Sequence, residues 1–151
     1  MVSLKEIINI ITMKKLLIIG IAIISIATMS FCTKTDPTQK INEFVSTYFP
    51  QANITATVPD GREYDVMLSD NTKLEFTHKV EWESVDCEHS TIYTSVPSAL
   101  IPQQITGYVN QNYPDNTIVK ISKDGRNWDI ELNNDIEIEF NKNFEVVEID
   151  L

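Results

Sequence analysis

Glycine is scarce in this sequence, and its scarcity excludes several kinds of active site. Only four glycines occur in 151 residues, and none lies near another. Phosphate-binding loops and the nucleophile elbow of hydrolases both need closely spaced glycines, so neither is present. Histidine is limited to His78 and His89, which stand in unrelated surroundings. No catalytic set of residues is grouped along the chain, and we expect a protein that is not an enzyme.

Basic residues are also few. The chain has 12 Lys and Arg against 22 Asp and Glu, for a formal net charge of −10. Nucleic-acid binding needs a basic surface that neutralises phosphates, so we expect no nucleic-acid partner. An anionic lipid surface would repel the chain for the same reason. We expect the partner to be another protein, one with a basic surface.

A long membrane span is missing as well, although the N-terminal region is apolar. Met13-Lys14-Lys15 precedes an apolar run over residues 16–27, followed by small and polar residues. This arrangement is typical of a secretory signal peptide, and the run is short for a membrane helix. We therefore predict a signal peptide over residues 1–31, with the true start at Met13 and an exported, periplasmic product. An uncleaved N-terminal anchor is the alternative.

Cysteine is limited to Cys32 and Cys87, with no His or acid at ligand spacing, so we predict no zinc site, no other metal site and no cofactor. Cys32 stands where a lipoprotein cysteine would stand, but the preceding Phe31 is larger than lipoprotein processing prefers. Lipidation of Cys32, which would be the chain's one membrane attachment, and a soluble periplasmic form both stay open. In the soluble form a Cys32–Cys87 disulfide is allowed. For Cys87 alone, a buried small side chain is favoured.

The sequence contains an internal duplication. Residues 38–87 align with residues 102–151 at a constant offset of 64 and without a gap. Asp60-Gly61-Arg62 matches Asp124-Gly125-Arg126, and further identities lie at apolar positions such as Ile41/Ile105 and Phe76/Phe140. An ungapped match of this length indicates a repeated structural unit. We predict four regions after the signal peptide: a tether over 32–37, repeat 1 over 38–87, a packed linker over 88–101 and repeat 2 over 102–151.

Each repeat reads as one helix followed by four strands. Ile41, Phe44, Val45 and Tyr48 recur at helical spacing, and Pro50 ends that pattern. The following segments alternate apolar and polar residues, which is typical of a half-buried antiparallel sheet. Alternation breaks within residues 82–85 and 146–149, predicting a bulge in each last strand. The predicted fold class is α+β, a tandem repeat in which each copy packs one helix on a four-stranded antiparallel sheet. Joining the sheets edge to edge would remove one exposed edge from each.

The order of these segments carries a family resemblance. It runs through YFPQANI, DGREYDVMLSDNTKLEF, VEWESVDC and VPSALIPQQITGYVNQNYP, after which the strand series returns. This pattern resembles the PepSY-like, β-lactamase-inhibitor-like family of exported bacterial proteins, over essentially all of residues 38–151. The resemblance implies a helix on each four-stranded sheet and a location in the cell envelope. It does not imply inhibition of a β-lactamase, and some relatives are described as calcium-regulated.

Acidic residues alternate with the apolar positions of the predicted strands, so they should share the exposed face of the sheet. The candidate binding residues are Asp129, Glu131, Glu137, Glu139 and Glu145 in repeat 2, and Asp65, Glu75 and Glu81 in repeat 1. Three interpretations stay open: a solvated surface that maintains solubility, a docking surface for a basic partner, and a calcium site. Strands present carboxylates poorly for the six to eight oxygens that calcium takes, so calcium is expected to matter little.

These observations predict a non-catalytic binding module of the cell envelope, acting as an inhibitor or regulator of another exported protein. A cation- or ligand-responsive periplasmic protein is the alternative.

Overall fold

A computed structural model describes residues 36–61 and 63–151. The predicted signal peptide, the Cys32 lipidation site and most of the predicted tether lie outside the described residues. The elements are, in order, α1 (Pro37–Tyr48), β1 (Ile54–Asp60), β2 (Glu63–Leu68), β3 (Lys73–Thr77), β4 (Trp82–Asp86), a short 3-10 helix (Ser98–Leu100), α2 (Gln103–Asn112), β5 (Ile118–Asp124), β6 (Asn127–Leu132), β7 (Glu137–Phe140) and β8 (Val146–Asp150).

Local chemistry sets the ends of the two helices. The carboxylate of Asp36 accepts a hydrogen bond from the amide of Thr38 at 3.0 Å, and Pro37 occupies the first helical position of α1. Both features are typical of helix starts. α2 follows Pro102 and has no side-chain cap. Each helix buries two residues spaced four apart, Ile41 and Val45 in α1 and Ile105 and Val109 in α2, so each presents one apolar stripe.

The eight strands form one continuous antiparallel sheet in the order β1 to β8. The predicted fold class, a tandem repeat with one helix on a four-stranded sheet in each copy, is therefore wrong, because the strands form a single sheet. β4 pairs with β5 through Ser84–Ser122, Val85–Ile121 and Asp86–Lys120, which merges all strands into one sheet. Unpaired strand edges expose backbone amides and carbonyls, and this junction satisfies two edges at once. The observed architecture is a single α+β domain with two helices on one side of an eight-stranded sheet.

The second half of the domain follows the first at the 64-residue offset. Each of β5 to β8 begins 64 residues after the start of its counterpart among β1 to β4. The predicted bulges are confirmed, since the pairing register shifts by one residue at Glu83 in β4 and at Val147 in β8. Gly61 and Gly125 both have positive φ, of 60° and 46°, in the predicted Asp-Gly turns. The two halves thus use one backbone template.

The apolar side chains of both halves form a single core between the sheet and the helices. Phe76 and Phe140 are fully buried at its centre. Phe44 of α1 packs edge-on against Phe76 at 5.1 Å, and Tyr108 of α2 packs edge-on against Phe140 at 5.4 Å. Aromatic pairs prefer this geometry. The same face of the sheet therefore holds both helices, and no element of residues 36–61 and 63–151 covers the opposite face, which we call the open face.

The linker packs against the first half, as predicted. The ring of Tyr93 lies edge-on to Phe49 at 5.0 Å, and its hydroxyl accepts a hydrogen bond from the amide of Gln51. The carboxylate of Asp70, which is 1% exposed, accepts hydrogen bonds from the hydroxyls of Thr72 and Ser90. The amide of Thr91 in the linker also donates a hydrogen bond to the carbonyl of Asp70. A buried carboxylate thus anchors the linker to the turn between β2 and β3.

Cys87 lies beside this network and is 2% exposed, which confirms the prediction of a buried small side chain. Burial raises the pKa of its thiol to about 12. Thiols react mainly as thiolates, so this side chain is protected from alkylation and oxidation in the folded state. Whether it pairs with Cys32 is a question that lies outside the described residues.

Candidate functional site

The open face of the sheet carries its side chains in straight rows, because directly paired residues of antiparallel strands point to the same side. Row 1 crosses all eight strands through Val58, Asp65, Glu75, Ser84, Ser122, Asp129, Glu139 and Glu148. Row 2 runs beside it through Ala56, Met67, Lys73, Asp86, Lys120, Glu131, Glu137 and Asp150. Side chains between these rows, such as Val66 and Ile130, are buried on the helix side.

Carboxylates fill the part of both rows that crosses β6, β7 and β8. We call this part the acidic face, and its members are Asp129, Glu131, Glu137, Glu139, Glu148 and Asp150. Asp129 stands opposite Glu139, which stands opposite Glu148, while Glu131, Glu137 and Asp150 repeat the pattern in row 2. Together with Lys120 and Ser122 these residues line a cavity of about 160 Å³. Six acids therefore surround one shallow depression.

Little positive charge offsets the acidic face. The ammonium of Lys120 lies 3.8 Å from the carboxylate of Glu131, and it is the one lysine or arginine that lines the depression. Like charges directly opposite each other on neighbouring strands destabilise a sheet. Burial raises the pKa of Asp129, and the neighbouring Glu139 raises it further. Burial also raises the pKa of Glu131, with a further contribution from Glu88. The folded chain therefore holds these groups ionised at a cost.

The corresponding part of rows 1 and 2 in the first half carries less negative charge. Row 1 has Asp65 and Glu75 there, and row 2 has the uncharged Met67 and the base Lys73. The ammonium of Lys73 lies 3.8 Å from the carboxylate of Asp86, which balances that pair. Within rows 1 and 2 the carboxylates are therefore concentrated in the second half, while Glu63, Glu75, Glu83 and Asp124 line a further depression at the junction of the halves.

The structure places six of the eight candidate residues in row 1 or row 2. Asp129, Glu131, Glu137 and Glu139 come together in the acidic face, and Asp65 and Glu75 lie farther along row 1. Glu81 and Glu145 lie instead just before β4 and β8, outside the strands. The carboxylate of Glu145 accepts a hydrogen bond from the side-chain amide of Asn141 at 2.8 Å, within its own turn.

Sequence reasoning missed Glu148 and Asp150. Strict alternation from Glu145 would place residues 147 and 149 on the open face. The bulge at Val147 shifts that alternation by one, so Glu148 and Asp150 face the depression instead. The sequence did contain the signal, since the break in alternation predicted a bulge at this place.

A second depression, on the helix side, was also missed. Its cavity of about 300 Å³ is lined in part by Trp82, Lys123 and Trp128, with Arg126 and Lys142 at its margin. The ammonium of Lys123 lies 3.9 Å from the centre of the Trp82 ring, within the range of a cation–π interaction. Burial lowers the pKa of Lys123. The two indoles come from different halves of the chain, so no local pattern could indicate their contact.

The acids of the described residues are not arranged as a metal site. Across residues 36–61 and 63–151, no three His, Cys, Asp or Glu side chains converge in a way that could hold an ion. β6 and β7 are paired on both sides, so their carbonyls are used in the sheet, and calcium draws on such carbonyls as well as carboxylates. The acidic face therefore fits calcium poorly. No helix within the described ranges is long and apolar enough to cross a membrane.

Comparison with known proteins gives a family and several solved structures. The sequence profile of the family described as "Putative beta-lactamase-inhibitor-like, PepSY-like" matches residues 62–148. A solved structure described as a putative calcium-regulated periplasmic protein, from Bacteroides thetaiotaomicron, is 33% identical, with a TM-score of 0.67. The match covers 75% of this chain and 89% of that chain. No curated protein matches the sequence.

Two further structures, both from Bacteroides vulgatus, are similar to the same extent. A putative periplasmic protein of the DUF2874 family is 35% identical with a TM-score of 0.67, and the match covers 75% of this chain and 89% of that chain. A putative periplasmic protein of unknown function is 30% identical with a TM-score of 0.66, over 75% of this chain and 90% of that chain.

Proposed function

This chain belongs to the PepSY-like, putative beta-lactamase-inhibitor-like family, and from that membership we propose that it is a non-catalytic binding protein of the bacterial cell envelope. Its partner is another exported protein, which it inhibits or regulates. Three solved relatives are described as periplasmic, which supports the location. The basic and apolar segments at the N-terminus are those of an exported chain.

The observation that carries this proposal is the row of directly opposed carboxylates on the acidic face. Placing Asp129 opposite Glu139, and Glu131 opposite Glu137, does not help the sheet to form. Solubility would be served equally well by acids spread over the surface. Concentrated charge in a shallow depression instead provides complementarity for a basic surface. The acidic face is therefore the docking surface in this proposal.

Charge of this kind acts mainly on the rate of association. A negative surface attracts a positive partner over distance, and salt weakens that attraction. Apart from Ile130, whose side chain is buried on the helix side, the described residues that line the depression are charged or polar. We therefore expect a salt-sensitive complex whose association rate depends strongly on the acids.

The test compares two variants that lose the same charge. The first, Asp129→Asn with Glu137→Gln and Glu139→Gln, removes three of the six negative charges of the acidic face. The control, Glu43→Gln with Asp115→Asn and Asp135→Asn, removes three exposed acids elsewhere. Each protein serves as bait in an envelope extract at low and at moderate salt.

We expect wild type and control to capture the same basic protein, and the face variant to lose most of it. The association rate of that protein, measured with purified components, should fall in the face variant and lose much of its salt dependence. Equal capture by all three baits would contradict the proposal. It would move the search for a docking surface to the linker around Tyr93.

A cation-responsive protein is the second candidate function. One specific observation favours it, because the solved relative from Bacteroides thetaiotaomicron is described as putatively calcium-regulated. The geometry of the acidic face argues against tight calcium binding, as described above. We therefore expect millimolar calcium to leave the melting temperature unchanged relative to chelator. Saturation of a specific site about a hundredfold above its dissociation constant would add about 2.7 kcal/mol and raise the melting temperature clearly. Such a rise, absent with magnesium, would favour the second function.

A further inference from the structure

Both outer edges of the sheet are unpaired within the described part of the chain. β1 forms one edge and β8 the other. Exposed large apolar side chains lie on these strands: Val58 is 54% exposed, Val147 is 58% exposed and Ile149 is 40% exposed. β5, the counterpart of β1, is buried or half-buried from Ile118 to Lys123, and β4 pairs with it. β1 has no such neighbour and is exposed from Thr55 to Asp60.

The β4–β5 junction supplies a template for what these edges could bind. At the 64-residue offset β8 corresponds to β4, and β1 corresponds to β5. Within the junction the amide of Cys87 donates to the carbonyl of Val119 at 2.8 Å. Hydrogen-bonded pairs alternate along an antiparallel ladder, so Val85 and Ile121 form the next such pair. Their counterparts, Ile149 and Thr57, therefore direct backbone N–H and C=O groups away from the sheet.

We propose that the β1 edge docks β8 of a second copy of this chain, in the register that β4 adopts on β5. Ile149 of one copy then lies opposite Thr57 of the other. Asp150 lies opposite Ala56, and Glu148 lies opposite Val58. No like charges face each other in this arrangement. Two β8 strands paired antiparallel about Ile149 would instead place Glu148 opposite Asp150, which is unfavourable.

Bulges often protect sheet edges from pairing, but they do not do so here. β4 and β5 carry register shifts at Glu83 and Val119, and they pair with each other nevertheless. β8 and β1 carry the same shifts at Val147 and Thr55. The backbone of both edges is therefore compatible with the junction.

The side chains make the junction between copies weaker than the internal one. The internal junction buries Val85 against Ile121, both 0% exposed, and places Asp86 opposite Lys120. β1 offers Thr57 in place of the isoleucine and Ala56 in place of the lysine. We therefore expect reversible, head-to-tail association that grows with concentration.

The first experiment strengthens the junction. Ala56→Lys with Thr57→Ile gives β1 the residues that β5 has at the same positions. Apolar burial and an opposed charge pair should tighten self-association about tenfold or more, measured by sedimentation velocity over a concentration series. Wild type and this variant both remaining monomeric at every concentration would overturn the proposal.

The second experiment blocks each edge in turn. Thr57→Pro removes an outward N–H from β1, and proline is tolerated at such edge positions. Ile149→Lys places on β8 the residue that commonly prevents edge pairing. Ile92→Lys is the matched control, because Ile92 in the linker is also 40% exposed. Unchanged melting curves establish that all three variants fold.

Mixing then identifies which edges meet. Each edge variant alone should be monomeric, while the control should associate like wild type. Equal amounts of the two edge variants should form a dimer and no larger species, since one intact β8 meets one intact β1. Association that survives Ile149→Lys alone would indicate β1–β1 pairing, and association that survives Thr57→Pro alone would indicate β8–β8 pairing. Either result would overturn the proposal.

Discussion

The two halves of this domain share one backbone template but use their carboxylates in opposite ways. In the first half the carboxylate of Asp70 is buried and accepts hydrogen bonds from Thr72 and Ser90. Its counterpart in the second half, Asn134, is exposed in a turn. The second half instead places six acids on the open face of the sheet. A duplicated frame thus allows one half to anchor the linker and the other to present charge.

The largest losses of stability should come from truncating core side chains, and they should be similar in the two halves because the core is shared. Phe76→Ala and Phe140→Ala should each lower the free energy of unfolding by about 3–5 kcal/mol. Each variant should still unfold in a single transition, since the sheet and the core are continuous. Urea denaturation followed by both fluorescence and circular dichroism measures this. Two separate transitions in either variant would show that the halves fold independently.

The second largest loss of stability should differ clearly between the two halves. Asp70→Ala leaves the buried hydroxyl of Thr72 and the half-buried hydroxyl of Ser90 without their acceptor, and should cost about 2–3 kcal/mol. Asn134→Ala, at the corresponding exposed position, should stay within about 0.5 kcal/mol. Urea denaturation of the two variants provides the comparison, and equal losses would refute the anchoring role of Asp70.

The pH dependence of Asp70 adds a second readout. Burial alone would raise its pKa, but hydrogen bonds from Ser90 and Thr72 outweigh burial and lower it below the usual 3.8. A lowered folded pKa means that the ionised group stabilises the fold at every pH above 3.8. That stabilisation is lost as the pH falls through the folded pKa. The difference in stability between wild type and Asp70→Ala should shrink over the same range.

Local patterns predicted most of the elements but not how the halves join. The helices follow from the spacing of Ile41 and Val45, and the turns follow from Asp-Gly pairs, because these signals act over a few residues. The β4–β5 junction rests on three residue pairs between strands separated by the linker. No local pattern encodes such a pairing, and the predicted fold class, with a four-stranded sheet as the unit of each copy, was wrong for that reason.

For the acidic face as well, local patterns predicted one part and missed another. Alternation correctly brought Asp129, Glu131, Glu137 and Glu139 together, because they lie on regular strands. It failed at β8, where one extra residue at Val147 exchanges the two faces of the strand. The contact of Lys123 with Trp82 and Trp128 depends on the junction itself, so it became visible only with the fold.

The smallest effect tests the central claim, that the acids of the second half serve binding and not folding. The measurement is the free energy of unfolding of Asp129→Asn with Glu137→Gln and Glu139→Gln, relative to wild type, from pH 7 downward. At pH 7 we expect the variant to be as stable as wild type or more stable by roughly 0.2–1 kcal/mol, because opposed like charges are gone. Burial and Glu139 raise the pKa of Asp129 above its usual 3.8, so ionised Asp129 opposes folding at neutral pH. As the pH falls through that raised pKa the folded wild type takes up the proton, so its deficit should begin to shrink there and be gone below 3.8, the usual pKa of the unfolded chain. A variant that is clearly less stable than wild type at pH 7 would contradict the account, because the acids would then be serving the fold.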